Sequence, residues 1–284
     1  SLVVGTSGRN PITFDNWNNS KILAYWKYDD ATKPGKDSHS WLGRLNNIRT
    51  ALQGQQGDRR LRLGIAGGEW KKMMADATAR TRFASEVKKI IEQYDFDGVD
   101  FDFEWPANAS EYNNYSATVI QMRSTLGKYV YFTASLHPVS FKISPEAIDA
   151  LDFISYQCYG PAVMRFPYEQ FVKDGEAAVA YGIPKNKLVM GVPFYGSTGS
   201  LIAAYCDFVN DGLATTNEDT YTYKGNTYTF NSIETIRKKA RYVCEEDYAG
   251  IMSWDLATDI DITNNKSLLK VIKEEFEYYA NPTE

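Results

Sequence analysis

Residues 94–106 read Tyr-Asp-Phe-Asp-Gly-Val-Asp-Phe-Asp-Phe-Glu-Trp-Pro, and this stretch constrains the chain more than any other. Asp100, Asp102 and Glu104 are spaced by two, so in an extended strand over 98–104 their side chains share one face. Val99, Phe101 and Phe103 take the opposite face, where covering helices would pack. At about 3.3 Å per residue, neighbouring carboxylates start about 6.6 Å apart. Three acids directed at one interior repel each other and lose water. At least one pKa is therefore expected to rise, with a proton shared between neighbours. Glu104, last on the strand, is placed to reach a ligand and to protonate a leaving-group oxygen.

The same geometry limits the chemistry. A retaining glycosidase with its own nucleophile needs a second carboxylate across the sugar, about 5–5.5 Å from the acid. Asp102 leaves the same strand on the same side and cannot attack from behind. A 2-acetamido oxygen of the substrate would serve instead, which restricts the substrate to N-acetylhexosamine glycosides. Spacing alone equally admits a divalent-cation cluster, or acids paired with Lys or Arg.

Outward from this stretch, short apolar runs alternate with helical patterns. Strands are expected at 2–6, 21–28, 61–66, 130–135, 153–158, 188–194 and 250–254. Helices are expected at 78–94, 111–126, 168–181, 232–247 and 267–279, with a short one at 13–20. Eight strand–helix units predict an α/β fold, a TIM (β/α)8 barrel. The polar stretch 197–230 breaks the rhythm after the seventh strand. Its residues 220–230 (TYTYKGNTYTF) read as a hairpin around Lys224-Gly225-Asn226. A length of 284 residues could hold two domains, but barrels of roughly 250 residues are single domains. One catalytic domain over 1–284, with an insertion at about 197–230, is expected.

Composition excludes several classes. With 43% hydrophobic and 24% charged residues, the chain is neither disordered nor membrane-embedded, and no apolar run approaches the roughly 18 residues of a spanning helix. A net charge of −5 without a Lys/Arg block argues against nucleic-acid binding. Cys158, Cys206 and Cys244 with His39 and His137 are too scattered for a structural zinc site. One disulfide with a spare thiol, or three thiols, both fit. The 20 Tyr, amphipathic rings with a hydroxyl, suit hydroxyl-rich ligands such as sugars, and suit a half-buried shell as well.

The run from Asp97 to Glu104 resembles the D-x-x-D-x-D-x-E signature of family 18 glycoside hydrolases, the chitinases and endo-β-N-acetylglucosaminidases. Trp105-Pro106 resembles the chitinase branch. LVMGVPFYG at 188–196 and GIMSWDL at 250–256 resemble the family's seventh and eighth strands, and Gly67-Gly68 the end of its S-x-G-G motif. The resemblance implies Glu104 as catalytic acid/base, Asp102 as the acid that orients the acetamido group, Asp100 as its buried proton partner and Asp97 as a structural member. Tyr159 matches the tyrosine that bonds the acetamido carbonyl, Gln157 resembles the plant-type branch, and Trp254 is the floor of the sugar site. Three departures stand out: Ile65 replaces the Ser of S-x-G-G, Gly160 stands where Asp or Asn follows the tyrosine, and Ser197 stands where Arg is common. The insertion is shorter than the one that walls deep chitinase clefts, which predicts an open groove and soluble oligosaccharides.

Trp26 or Tyr25, Trp70 and Trp105 could either stack on a sugar or pack. Trp26 and Trp105 go forward as sugar-binding candidates with Trp254, Gln157 and Tyr195. His137 reads as a hydrogen-bonded loop residue and Cys158 as a small buried one. The reading is retaining, substrate-assisted hydrolysis of β-1,4-linked N-acetylglucosamine glycosides, with no metal and no cofactor. The expected partner is an oligo- or polysaccharide containing N-acetylglucosamine, bound by a monomer. No nucleic acid and no membrane span are expected. Alternatives are an endo-β-N-acetylglucosaminidase on N-glycan cores, a weakly active lectin-like barrel that Gly160 keeps open, and a divalent-metal enzyme. An opening at Ser1 without a leader predicts a removed signal peptide or a trimmed chain, and a secreted, periplasmic or cell-surface location.

Overall fold

The computed structural model describes residues 2–4, 12–13, 49–50, 60–66 and 70–280. Its strands are β1 (Leu2–Val4), β2 (Ile12–Thr13), β3 (Arg62–Ala66), β4 (Gly98–Phe101), β5 (Tyr131–Leu136), β6 (Phe153–Tyr156) and β7 (Leu188–Pro193). After these come β8 (Tyr195–Ser197), β9 (Ile202–Ala204), β10 (Thr220–Tyr223), β11 (Asn226–Thr229) and β12 (Gly250–Trp254). Helices are α1 (Trp70–Ala75), α2 (Ala77–Tyr94), α3 (Ala109–Leu126), α4 (Pro145–Ala150), α5 (Tyr168–Tyr181), α6 (Tyr205–Asn210), α7 (Ile233–Glu245) and α8 (Leu268–Ala280). Two compact units divide the chain. One, the acid unit, holds residues 9–134 and 142–152; the other, the aromatic unit, holds 1–8, 135–141 and 153–284.

In the acid unit, β2, β3, β4 and β5 run parallel in that order, with Gly64 opposite Asp100 and Asp100 opposite Thr133. Strand β4 ends at Phe101, three residues short of expectation. One further bond, from the Asp102 N–H to the Ile65 carbonyl at 2.8 Å, closes the ladder. The alternation of faces nevertheless continues: Val99, Phe101 and Phe103 are fully buried, Asp100 and Asp102 are half-buried, and Glu104 is exposed. The buried rings meet Phe83 of α2 and Tyr115 of α3. Phe101 and Phe132 pack edge-on at 4.8 Å, and Phe103 lies 5.8 Å from Trp70. Each such buried side chain is worth about 1.5–3 kcal/mol of transfer free energy. Helix α2 starts on Asp76, whose carboxylate accepts from the Ala79 N–H at 2.7 Å.

In the aromatic unit, β1, β12, β7 and β6 form a second parallel ribbon in that order. The stretch after β7 folds as an antiparallel sheet of order β10-β11-β8-β9, and β10–β11 is the expected hairpin. Its aromatic side centres on Phe208, with Tyr221, Tyr223, Tyr228 and Phe230 all within 5.8 Å between ring centres. Helices α7 and α8 are clamped by Glu275, which accepts from Arg237 at 2.7 Å and Arg241 at 2.8 Å.

Several expectations are corrected. Thr13, expected in a helix, lies in β2, where β-branched Ile12 and Thr13 suit a strand. Helices α1, α4 and α6 were not expected: at six residues each they are too short to show a periodic pattern. The expected strand at 21–28 and most of the helix at 13–20 lie outside the described residues. Of the two cysteine states left open by the sequence, the structure has three free thiols.

Candidate active site

The acid cluster is built on β3, β4 and β5 of the acid unit. Asp97 anchors the entry to β4: its Oδ2 accepts from the Leu61 N–H at 2.6 Å, its own N–H donates to the Leu61 carbonyl, and its carbonyl accepts from Tyr131. Asp100 is held by two neighbours. Thr133 Oγ1 donates to its Oδ1 at 2.5 Å, and Arg62 Nη1 reaches the same oxygen at 3.2 Å and also donates to Thr133. Of the alternatives that the spacing left open, pairing with Lys or Arg holds for Asp100, whose cation is Arg62. Arg62 escaped the sequence reading, although it alternates with Leu63 and Ile65 onto the face that Asp100 shares. Gly64, between Arg62 and Ala66 on that face, adds no side chain there.

Asp102 and Glu104 follow beyond the ladder, Asp102 half-buried and Glu104 exposed. Behind them, Tyr115 is completely buried. Burial first, then the charges of Asp100 and Asp102, push its phenol well above the ordinary value. Trp105 is half-buried and joined to Glu104 by a cis peptide bond. Trp70 is 2% exposed and wedged against Phe103 and Tyr115. It packs and is no sugar platform. The segment from Trp105 to α3 is pinned by Glu111, which accepts from the Ala107 N–H at 2.8 Å and pairs with Lys71 at 2.8 Å.

In the aromatic unit, a second group of candidate residues lies at the carboxyl ends of β6, β7 and β12. Gln157 is 8% exposed and its N–H bonds the Leu136 carbonyl. The Tyr159 hydroxyl donates to Met252 Sδ at 3.4 Å, and its ring lies against Gly191, where a Cβ would come within 2.8 Å of it. His137 holds the turn that carries Tyr159. Its Nε2 meets the carbonyls of Tyr159 (3.0 Å) and Gly160 (2.6 Å), while Nδ1 accepts from the Val139 N–H (3.2 Å). Those partners select the neutral tautomer protonated on Nε2. His137 is thus a hydrogen-bonded loop residue. Tyr195 meets Tyr159 edge-on at 6.3 Å and Phe166 at 5.6 Å. Trp254, last in β12, is 41% exposed, and its carbonyl accepts from the Phe194 N–H at 2.7 Å. The structure thus brings Tyr159, Tyr195 and Trp254 together at one rim. Burial pushes the Cys158 thiol well up, which leaves it inert. Trp26, Tyr25, Gly67 and Gly68 lie outside the described residues.

Among the described residues, no three His, Cys, Asp or Glu side chains are grouped to hold a metal ion, and no helix is long and apolar enough to cross a membrane.

The profile of Glycosyl hydrolases family 18 matches residues 11–259. "Probable chitinase 2" of Drosophila melanogaster is 23% identical, with 76% of this chain aligned to 60% of that protein. "Class V chitinase" of Arabidopsis thaliana is 24% identical over 69% of each chain. This chain therefore spans about three-fifths of the fly relative's length. Among solved structures, a chitinase from Bacteroides thetaiotaomicron is similar with a TM-score of 0.71 and 23% identity, covering 84% of this chain and 82% of that one. The GH18 chitinase ChiB of Flavobacterium johnsoniae follows with a TM-score of 0.69 and 25% identity, covering 82% and 79%. The fold shared with these structures is the (β/α)8 barrel.

Proposed function

The chain belongs to family 18 of the glycosyl hydrolases, and from that premise we propose that it cleaves β-1,4 bonds next to N-acetylglucosamine in chitin-type oligosaccharides, with retention of configuration. The observation that carries this reading is the gradient along the acid stretch: three fully buried aromatic or apolar residues alternate with a half-buried Asp102 and an exposed Glu104. Glu104 is the acid that gives its proton to the leaving oxygen. The substrate's acetamido oxygen attacks the anomeric carbon and forms a cyclic oxazolinium, whose N–H Asp102 orients. Glu104, now a carboxylate, then takes a proton from the water that opens the ring from the same face as the departed group. Two displacements give retention. Asp100 supports Asp102, Tyr159 and Gln157 bind the acetamido end, and Trp254, Tyr195 and Trp105 contact sugar rings. Trp26 belongs to the same proposal on sequence grounds. A plant class V chitinase from Cycas revoluta that shares the fold carries (GlcNAc)3, which favours chito-oligosaccharides as the substrate. A secreted or cell-surface location suits such a substrate, and the protein acts as a monomer.

The test is hydrolysis of chitotetraose with the product anomer followed by NMR. Wild type should release the β-anomer, unaffected by EDTA, and Glu104→Gln should lose about 10²–10⁴-fold in rate. An α-anomer as first product would sink the substrate-assisted mechanism.

A further inference from the structure

Three strands of the acid unit converge on one carboxylate oxygen. In register, β3 and β5 flank β4, with Gly64 on one side of Asp100 and Thr133 on the other. Gly64 carries no side chain, and Arg62, one pleat earlier on the same face, reaches across to Asp100. The hydrogens at this oxygen follow from the donors around it. Arg62 Nη1 donates to Thr133 Oγ1, so the hydroxyl is an acceptor on that side. Its single proton then has two candidate acceptors, Asp100 Oδ1 at 2.5 Å and the Val99 carbonyl at 3.4 Å, and the shorter contact takes it. Arg62 Nη1 also donates to the same Oδ1 at 3.2 Å. Oδ1 therefore faces two donors, one of them a guanidinium that is always charged. Thr133 is fully buried, and the Arg62 and Asp100 side chains are 16% and 15% exposed. A proton on Asp100 would leave that cation without its anion where little water reaches it.

An anion fixed at Asp100 changes what the row of acids does with a proton. The family resemblance implies Asp100 as the proton partner of Asp102, free to take that proton. A carboxylate tied to Arg62 and Thr133 is instead a standing negative charge beside Asp102, and a like charge favours the protonated form of its neighbour. The phenol of Tyr115, which feels both acids from α3, stays neutral. We propose that Arg62 is a positioning residue for the acid stretch: with Thr133 it holds Asp100 as an anion, so that the shared proton is kept on Asp102, next to Glu104, and does not withdraw to Asp100. A protonated Asp102 sets no second anion beside Glu104 once Glu104 has given its proton away. The place of the proton rests on the pairing; its part in hydrolysis rests on the reading of Glu104 as the acid.

Two measurements test it. The first needs no sugar: isotope-labelled aspartate carboxyl carbons are followed by NMR from about pH 7 to about pH 5, with Asp100→Asn and Asp102→Asn identifying the two signals. In wild type the Asp102 signal should move and the Asp100 signal should stay that of a carboxylate. In Arg62→Met the two should move together, and Arg62→Lys, which keeps a cation, should return the wild-type pattern. An Asp100 signal that moves in wild type, or that Arg62→Met leaves unchanged, would overturn the proposal. The second is hydrolysis of chitotetraose, well below the melting temperature of each variant. Arg62→Met should lower kcat about tenfold with KM changed less than about twofold, and Arg62→Lys should recover most of the loss. An unchanged kcat, or a loss that the lysine leaves in place, would reduce Arg62 to a packing role. If wild type hydrolyses nothing but the NMR pattern holds, the hold of Arg62 on the proton stands and the hydrolase reading falls. If wild type hydrolyses and neither readout follows Arg62, the inference falls and the hydrolase reading stands.

Discussion

Arg62 supplies the cation that Asp100 meets. Its guanidinium reaches Asp100 at 3.2 Å with both side chains about 15% exposed, so the pair is partly desolvated and neither charge is cheap to leave alone. Replacing Arg62 by Met keeps the stem and removes the cation. The expected loss is about 2 kcal/mol of unfolding free energy, the buried-pair value reduced for partial exposure. Urea unfolding checks it, and an unchanged midpoint would mean that Thr133 alone satisfies Asp100. Tyr115 presents the opposite case. Its hydroxyl is buried and has no hydrogen-bond partner among the described residues, while its ring contributes to the packing of Trp70 and Phe101. Tyr115→Phe deletes only the hydroxyl and should leave stability unchanged or raise it by about 1 kcal/mol. A loss of stability would reveal a partner for that hydroxyl. Glu104, Asp102 and Asp100 were legible from spacing by two. Arg62 was legible only in register, because nothing in the sequence says which strand lies beside β4.

At the scale of elements, the link between the acid stretch and α3 depends on one carboxylate. Asn108 caps α3 by accepting from the Glu111 N–H at 3.0 Å, and Glu111 reaches back to the Ala107 N–H and across to Lys71. The Lys71 hydrogen bond, then that of Ala107, hold the Glu111 carboxyl below its ordinary value. A carboxylate depressed in the folded state stabilises the fold above the unfolded-state pKa, about 4.3, and that stability is lost as the pH falls through the lower folded value. The melting temperature of wild type should therefore fall more steeply below pH about 4 than that of Glu111→Gln. Parallel slopes for the two proteins would remove Glu111 from the acid response. The hairpin β10–β11 was read correctly from its Lys-Gly turn and alternating Thr and Tyr. The pairing of β8 with β9 was not, since Gly-, Ser- and Ala-rich segments carry little alternation to read.

For the molecule as a whole, the burial of Lys239 makes stability depend on alkaline pH. Its ammonium is fully buried, donating to the Phe166 carbonyl and to Asn231 Oδ1, each at 2.7 Å, and burial lowers its pKa to about 7. Between that value and about 10.4 the unfolded chain holds a proton that the folded chain has released, so stability should rise with pH across this window. Comparing wild type with Lys239→Met by thermal unfolding from about pH 6 to about pH 11 isolates the effect: the wild-type gain should be missing in the variant. A parallel rise in both would assign it to other groups. Lys239 ties the start of α7 to the loop after β6, where Phe166 packs on Tyr195, so its environment arises only when distant segments meet. The amino-acid sequence by itself determined the alternation of strands and helices, the acid triplet on one face and the Trp254 and Tyr159 positions, because these follow from periods of two and 3.6 and from local motifs. Only the tertiary structure decided which cation meets Asp100 and which carbonyls His137 holds. Those depend on register and on side chains that approach from elements far apart in the chain, and no local spacing encodes them.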